Sequence, residues 1–333
     1  MPTDRIAARP LGLLATVCLL WGTIPVTIEG LHLPAIAITA ARSWIATIAL
    51  GITLAYQRFL PVPGTAALRS GRTARVDPAR RSLTPIERRR AAVLTVAAGA
   101  ILVVHWSLQF AAFDRAPAST VAFVVYLAPV GLAALAPFTL REPTSARTAG
   151  SIAVAVVGAA LLTGATARAD LPGVACAAGS ALGLVALFLV AKPLSKLLGG
   201  LRAAFAELSV AALLLSVPAF RLVTGHNGVL TVRTVSRLAI LGLVHTALFV
   251  SLQLWCLARV PAATAGVIGQ LEPVGVVIIA ALSGALPGVG TLIGGALVVG
   301  AGAVVATAHV PGRRTPAHLD ADPTGALLGA GIP

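Results

Sequence analysis

Long runs free of Asp, Glu, Lys and Arg recur along the chain: residues 11–28, 91–113, 116–140, 148–167, 171–191 and 238–258. Two further apolar runs carry one charge each, Arg42 in 34–56 and Glu207 in 203–220. The last run, 260–312, holds only Glu272 and is long enough for two crossings, with a natural break at the 284–287 turn. A helix needs roughly 20 apolar residues to cross a hydrocarbon core about 30 Å thick. The pattern therefore predicts an all-α integral membrane protein with ten transmembrane helices, called spans 1–10 below. The first span follows Arg5 and Arg9 as a signal peptide would, but no small-x-small cleavage site ends it, and it is read as a true span.

Composition agrees with that reading. Of 333 residues 57% are hydrophobic and 11% charged, with a mean hydropathy of +0.93. A soluble domain has about 25% charged residues, so this chain cannot clothe a water-facing surface, and a soluble enzyme is excluded. Cys18, Cys176 and Cys256 all lie in apolar runs without CxxC spacing, which indicates neither disulfides nor a metal centre.

The net charge of +14 would suggest nucleic acid on a soluble protein. Its distribution says otherwise. With the N-terminus inside, 19 of the 25 basic residues fall on the cytoplasmic side, five fall outside and Arg42 is intramembrane. That is the positive-inside pattern for a multi-pass protein of the cell (cytoplasmic) membrane with both termini cytoplasmic. Nine of those arginines sit in 57–90, a basic segment whose composition predicts a disordered cytoplasmic loop and a topology signal. No recognition motif accompanies them, so nucleic acid is not an expected partner.

A shift of 144 residues lays 105–163 on 249–307 without a gap. Ser107, Leu108 and Gln109 meet Ser251, Leu252 and Gln253; Arg115, Pro117 and Thr120 meet Arg259, Pro261 and Thr264. Pro129, Val130 and Gly131 meet Pro273, Val274 and Gly275, and Gly150 and Gly158 meet Gly294 and Gly302. The match in the preceding segment is weaker. The repeat unit is about five helices, an odd number, so the second copy crosses the membrane upside down. Two inverted five-helix repeats are a signature of secondary transporters, whose site lies near the midplane between them. The expected organisation is 1–56 (tail, spans 1 and 2), the 57–90 loop, 91–167 (spans 3–5), 171–308 (spans 6–10) and a cytoplasmic tail at 309–333.

Leu20-Trp21-Gly22-Thr23-Ile24-Pro25-Val26, Arg42 in span 2, and the series Ala116-Pro117-Ala118-Ser119-Thr120, Leu127-Ala128-Pro129-Val130, Arg141-Glu142-Pro143 and Gly150 resemble the drug/metabolite transporter superfamily in its EamA-type branch. The resemblance covers about 10–308. It implies a ten-helix carrier exporting amino acids, related metabolites or drugs, with spans 5 and 10 bracing the bundle or a homodimer. The acid that ends the loop after span 4 is present as Glu142, but Leu286 stands at its counterpart.

A charge at membrane depth costs at least about 2.5–3.5 kcal/mol and demands an explanation. Arg42 lies about 12 Å into the bilayer from Pro34. It either holds a substrate anion bidentately or pairs with Glu29, Glu207 or Glu272. Glu272 follows Gly269 and precedes Pro273, which cannot donate a backbone N–H and should kink span 9. It either exchanges a proton in each cycle, stays paired to Arg42 or is kept protonated. Pro129 marks the equivalent break in span 4. Glu207, near the start of span 7, reads as an interfacial or interhelical partner. His105 with Gln109, and His245 with Gln253, aim polar groups from one face of spans 3 and 8, toward either the pathway or neighbouring helices. Trp21, Trp106, Trp255 and Tyr126 could stack on a substrate; aromatics at interface depth are commonly anchors, and Trp106, deep in its span, and Tyr126, mid-helix, rank above Trp255. Gly290 and Gly294 form a GxxxG contact motif on span 10.

The chain is read as a secondary exporter of a small metabolite working by alternating access, with protons as a candidate coupling ion and no cofactor. The alternatives are a gradient-driven exchanger or importer and, more remotely, a membrane transferase, for which the loops offer only His32 beside Glu29. No GxxxxGK[ST] loop supports an ATP-driven pump.

Overall fold

The computed structural model describes residues 4–31, 33–59, 83–164, 170–223, 231–284 and 287–307. Within them nine helices are long and apolar enough to cross a membrane: Ala8–Ile28, Ala35–Gln57, Pro85–Phe113, Thr120–Thr139, Leu171–Leu198, Gly200–Arg221, Val232–Leu257, Ala262–Leu282 and Val289–Thr307. The shorter apolar helix Ala146–Leu162 completes the ten as span 5. Large apolar side chains such as Ile48, Leu213 and Leu282 face outward, as a lipid solvent requires.

Helix ends follow local chemistry. Thr84 opens span 3 with a capping box, its hydroxyl accepting from the Glu87 N–H while the Glu87 carboxylate accepts from the Thr84 N–H. The helix therefore begins at Pro85, and span 2 continues helically to Phe59. The loop expected over 57–90 is correspondingly shorter at both ends; its interior, 60–82, lies outside the described residues, as does Leu286. The interval 192–202, which separates the apolar runs of spans 6 and 7 and reads from sequence as a charged loop, shrinks to a one-residue connection. Span 6 runs to Leu198, and Gly199, at φ +80°, turns the chain directly into the next helix. An L side chain rarely adopts that φ.

Four spans depart from a regular helix. Span 1 breaks after Trp21 and restarts at Ile24, just ahead of Pro25. Span 4 is Ala118–Val125 followed by Ala128–Thr139, and span 9 is Ala262–Gly269 followed by Leu271–Leu282. Both breaks lie just ahead of the matched prolines, Pro129 and Pro273, because the missing N–H and the ring clash fall on the preceding turn. Span 8 is π-helical over Leu241–Leu248.

The packing partnerships respect the repeat. Exchanging the two copies converts the pair of spans 3 and 6 into 8 and 1, 4 and 6 into 9 and 1, and 3 and 7 into 8 and 2, and all of these pairs are in contact. Spans 2 and 7, 4 and 9, and 5 and 10 each pack on their own counterpart, which places these three contacts on the pseudo-twofold axis. The bare backbones of Gly158 and Gly294 set the contact of spans 5 and 10: a Cβ on Gly158 would come within 2.8 Å of the Gly294 carbonyl oxygen. The small-residue face of span 10 is thus engaged inside the chain. Spans 1 and 9 cross as tightly at Gly22 and Gly275, where a Cβ on Gly275 would run into the Leu19 carbonyl.

Candidate functional site

A cavity of about 480 Å³ lies between the repeats. Its wall takes residues from spans 1–4 and 6–9 and none from spans 5 and 10. Arg42, Glu272, Gln109, Gln253 and His105 all line it, as do His245, Tyr126, Trp21, Trp106 and Pro129. Four of the eight spans that form the wall, spans 1, 4, 8 and 9, are the ones whose regularity is interrupted. Pro273 is buried behind it.

Arg42 stacks its guanidinium over the Trp106 ring, 4.3 Å from the centroid. Its Nε is buried without a hydrogen-bond partner among the described residues. Arg42 and Glu272 sense each other's charge, but neither these two nor Arg42 with Glu29 or Glu207 close to an ion pair within 4.0 Å. The structural pairing considered for Arg42 is therefore not formed in this conformation. The aromatic face takes its place by cation–π attraction and leaves donor positions of the guanidinium uncommitted.

Both histidines are tied by one nitrogen. His105 Nδ1 lies 2.8 Å from the Ser180 carbonyl, which only accepts, so the Nδ1–H donates there and joins span 3 to span 6. His245 Nε2 lies 2.7 Å from Thr23 Oγ1. That hydroxyl donates its proton to the Leu20 carbonyl at 2.7 Å, so its oxygen accepts from the histidine Nε2–H. Trp21 Nε1 donates to the His245 carbonyl at 2.9 Å. The broken tip of span 1 is thereby pinned to the π-helical turn of span 8. Gln109 and Gln253 line the cavity from equivalent positions.

Three residues were undervalued by sequence reasoning. Glu207, expected as an interfacial or interhelical partner, lines the cavity and is only 3% exposed, because its helix begins at Gly200 and carries it two turns inward. Gln270 occupies the break in span 9, 1% exposed, and donates its Nε2–H to the Tyr126 carbonyl across the axis. Lys192, counted with the loop charges, is 1% exposed inside span 6.

Lys192 forms the strongest polar cluster outside the cavity. Its ammonium lies 2.7 Å from Glu142 Oε1 and 2.9 Å from Oε2, and it also donates to the Val260 carbonyl. Glu142 Oε2 accepts the Ala262 N–H at 2.9 Å, at the start of the first helix of span 9, where the helix dipole favours an anion. Lys196 stands 3.8 Å from the same carboxylate. Arg141, at φ +57°, turns the chain so that Glu142 reaches this position. A loop of the first repeat is thus clasped to spans 6 and 9 of the second. Arg259 stacks on Trp255 four residues earlier, 3.8 Å from the ring centroid.

The sequence profile of the EamA-like transporter family matches residues 9–164 and 171–307, one match per repeat. No curated protein matches the chain. A solved crystal structure, titled only as a protein, is similar with a TM-score of 0.68 at 18% identity, covering 89% of this chain and 97% of that one. At that identity the likeness establishes the fold alone.

Proposed function

Because the chain belongs to the EamA-like transporter family, and is accordingly a multi-pass membrane transporter of small molecules, we propose that it is a secondary exporter of a small polar or amphipathic metabolite in the cytoplasmic membrane. The observation that carries this reading is the cavity between the repeats, which holds Arg42 and Glu272 without an ion pair between them. A charged pair held apart at membrane depth is expensive unless something enters to complete it. Arg42 orients an anionic group of the substrate, and Glu272 exchanges a proton in each cycle.

Alternating access has a ready geometry here. The cavity wall includes Ile28, Ala35 and Phe113, from the ends of spans 1–3 assigned to the outside, while the Glu142–Lys192 clasp ties the opposite ends together. In this reading the clasp is the inner closure, released when the repeats rock. Termini on the cytoplasmic side follow from the charge distribution. A homodimer through spans 5 and 10 would use their outward faces, since their glycine faces already meet within the chain.

The test is uptake of radiolabelled metabolites into inverted vesicles under an imposed proton gradient, the candidates being chosen from compounds that accumulate in cells lacking the protein. Gradient-driven uptake supports proton-coupled export. A second reading, exchange driven by the substrate's own gradient, is favoured by the charge balance of Arg42 with Glu272, which needs no proton. Counterflow without any pH gradient, together with no response to the gradient, would establish exchange.

A further inference from the structure

We propose that Glu207 is the recognition point for a positively charged nitrogen on the transported molecule, an ammonium or amidinium group on an apolar, ring-sized body. The proposal rests on the reading of the cavity as the transport site and adds a second charged position to it.

Glu207 lies seven residues into a helix that starts at Gly200, about 10 Å along its axis. Its side chain lines the cavity, yet the residue is 3% exposed and Oε2 has no hydrogen-bond partner among the described residues. Gly99 of span 3 packs so closely that a Cβ there would come within 2.8 Å of the Glu207 carbonyl oxygen, so the helix is held in place and cannot carry the acid to the interface.

Among the described residues, no cation or imidazole of the surrounding spans forms an ion pair with Glu207 or a hydrogen bond to its Oε2. Arg42 of span 2 stacks on Trp106. Lys192 of span 6 is held by Glu142. His105 of span 3 is bound to Ser180 and His245 of span 8 to Thr23. Arg202, on the same helix, is exposed. A carboxylate removed from water without a donor or cation is heavily penalised, and the space its side chain faces is the cavity. A ligand nitrogen entering that space supplies the missing charge-assisted hydrogen bonds. Leu102, Leu187, Phe188 and Phe110 give the wall the apolar character that suits a ring beside the charge. Arg42 would repel the same nitrogen, so the two charges of the cavity sort the ends of a molecule.

The experiment uses the full-length protein in lipid nanodiscs and three probes that share one ring: phenethylamine, phenethyl alcohol and phenylacetate. Calorimetric titration is expected to show the amine binding more tightly than the alcohol. Glu207→Gln is expected to weaken amine binding at least about tenfold, the scale of one charge-assisted hydrogen bond, and not to weaken phenylacetate binding, since it removes a negative charge from the cavity. Glu207→Asp, which keeps the charge, should retain part of the amine affinity, and it decides the matter should the glutamine variant fail to fold. Equal amine binding by wild type and Glu207→Gln, equal binding of amine and alcohol, amine affinity in Glu207→Asp equal to that for the alcohol, or no binding of any probe overturns the proposal. Counterflow of labelled phenethylamine in proteoliposomes separates the two readings. Binding that depends on Glu207 without counterflow overturns transport and keeps the subsite; counterflow indifferent to Glu207→Gln does the reverse.

Discussion

Gln270 donates its side-chain amide to the backbone carbonyl of Tyr126 at 3.1 Å, and these two residues occupy the same position in the two copies of the repeat. Each stands at the break of its span, so the bond joins the two interruptions where they meet on the pseudo-twofold axis. Only one copy supplies an amide, and one bond suffices for both.

Removing that amide should be felt as lost stability. Gln270→Leu leaves the Tyr126 carbonyl without this donor at a buried position and is expected to cost about 1–3 kcal/mol. Thermal unfolding in detergent should show a lower midpoint. Both glutamines line the cavity, but among the described residues Gln253 makes no such bond across the repeats, so Gln253→Leu should change the midpoint little and act on transport.

Gly275 and Gly12 make a matched pair for testing the crossing of spans 1 and 9. A Cβ on Gly275 meets the Leu19 backbone, which cannot swing aside, whereas Gly12 has nothing within 4 Å. Gly275→Ala is expected to destabilise by about 1–3 kcal/mol through overpacking. Gly12→Ala should be neutral or stabilising by up to about 1 kcal/mol, since alanine favours a helix. Equal effects on the unfolding midpoint would remove the close approach from the account of the fold.

The Glu142–Lys192 clasp predicts an order among three variants. Glu142→Gln leaves a buried ammonium without its counter-charge and should cost about 3–5 kcal/mol. Lys192→Met should cost less, because Glu142 is 20% exposed and keeps the Ala262 N–H and nearby Lys196. The double variant should recover most of the loss, as paired removal of buried charges does. Unfolding midpoints of all four proteins give the coupling directly, and additive effects would show the pair to be unimportant.

Under the proposed mechanism, Glu272→Gln abolishes uptake driven by a proton gradient in inverted vesicles while protein remains in the membrane. The sign follows from the chemistry: an amide carries no exchangeable charge, so inward acidity no longer drives exchange. Arg42 of span 2 and Tyr126 of span 4 share the cavity wall with Glu272. Arg42 holds a positive charge throughout the working range. Wild-type uptake by the variant would remove Glu272 from the coupling step.

The spans and their duplication were legible because both rest on local pattern: apolar run lengths, and prolines and glycines matched at one offset. The cavity wall was largely legible too, since Arg42, Glu272 and the paired glutamines are polar where the bilayer penalises polarity. Lys192 was not. It ends an apolar run beside a basic segment, so its sequence context is that of a loop charge, and its partner lies fifty residues earlier. Glu207 was misplaced for a related reason: a one-residue connection at Gly199 starts the helix earlier than hydropathy suggests, and an acid near an apparent end becomes an acid two turns deep. Gln270 gave no signal because it stands opposite Tyr126 in the repeat, and a mismatch does not announce a contact.

The wide turn Leu241–Leu248 lies immediately before the point, residue 249, from which the copies keep their offset of 144. Its equivalent in span 3 is ordinary α-helix. A turn closed from i to i+5 absorbs more chain than one closed from i to i+4, so span 8 takes up extra length over the same rise. The duplicated halves were therefore free to diverge in length as well as in side chains. The added slack sits where it brings His245, which has no histidine counterpart, against the broken tip of span 1. An ancestor with two interchangeable halves would have lacked this contact, and with it the tie that pins one broken span and not its counterpart.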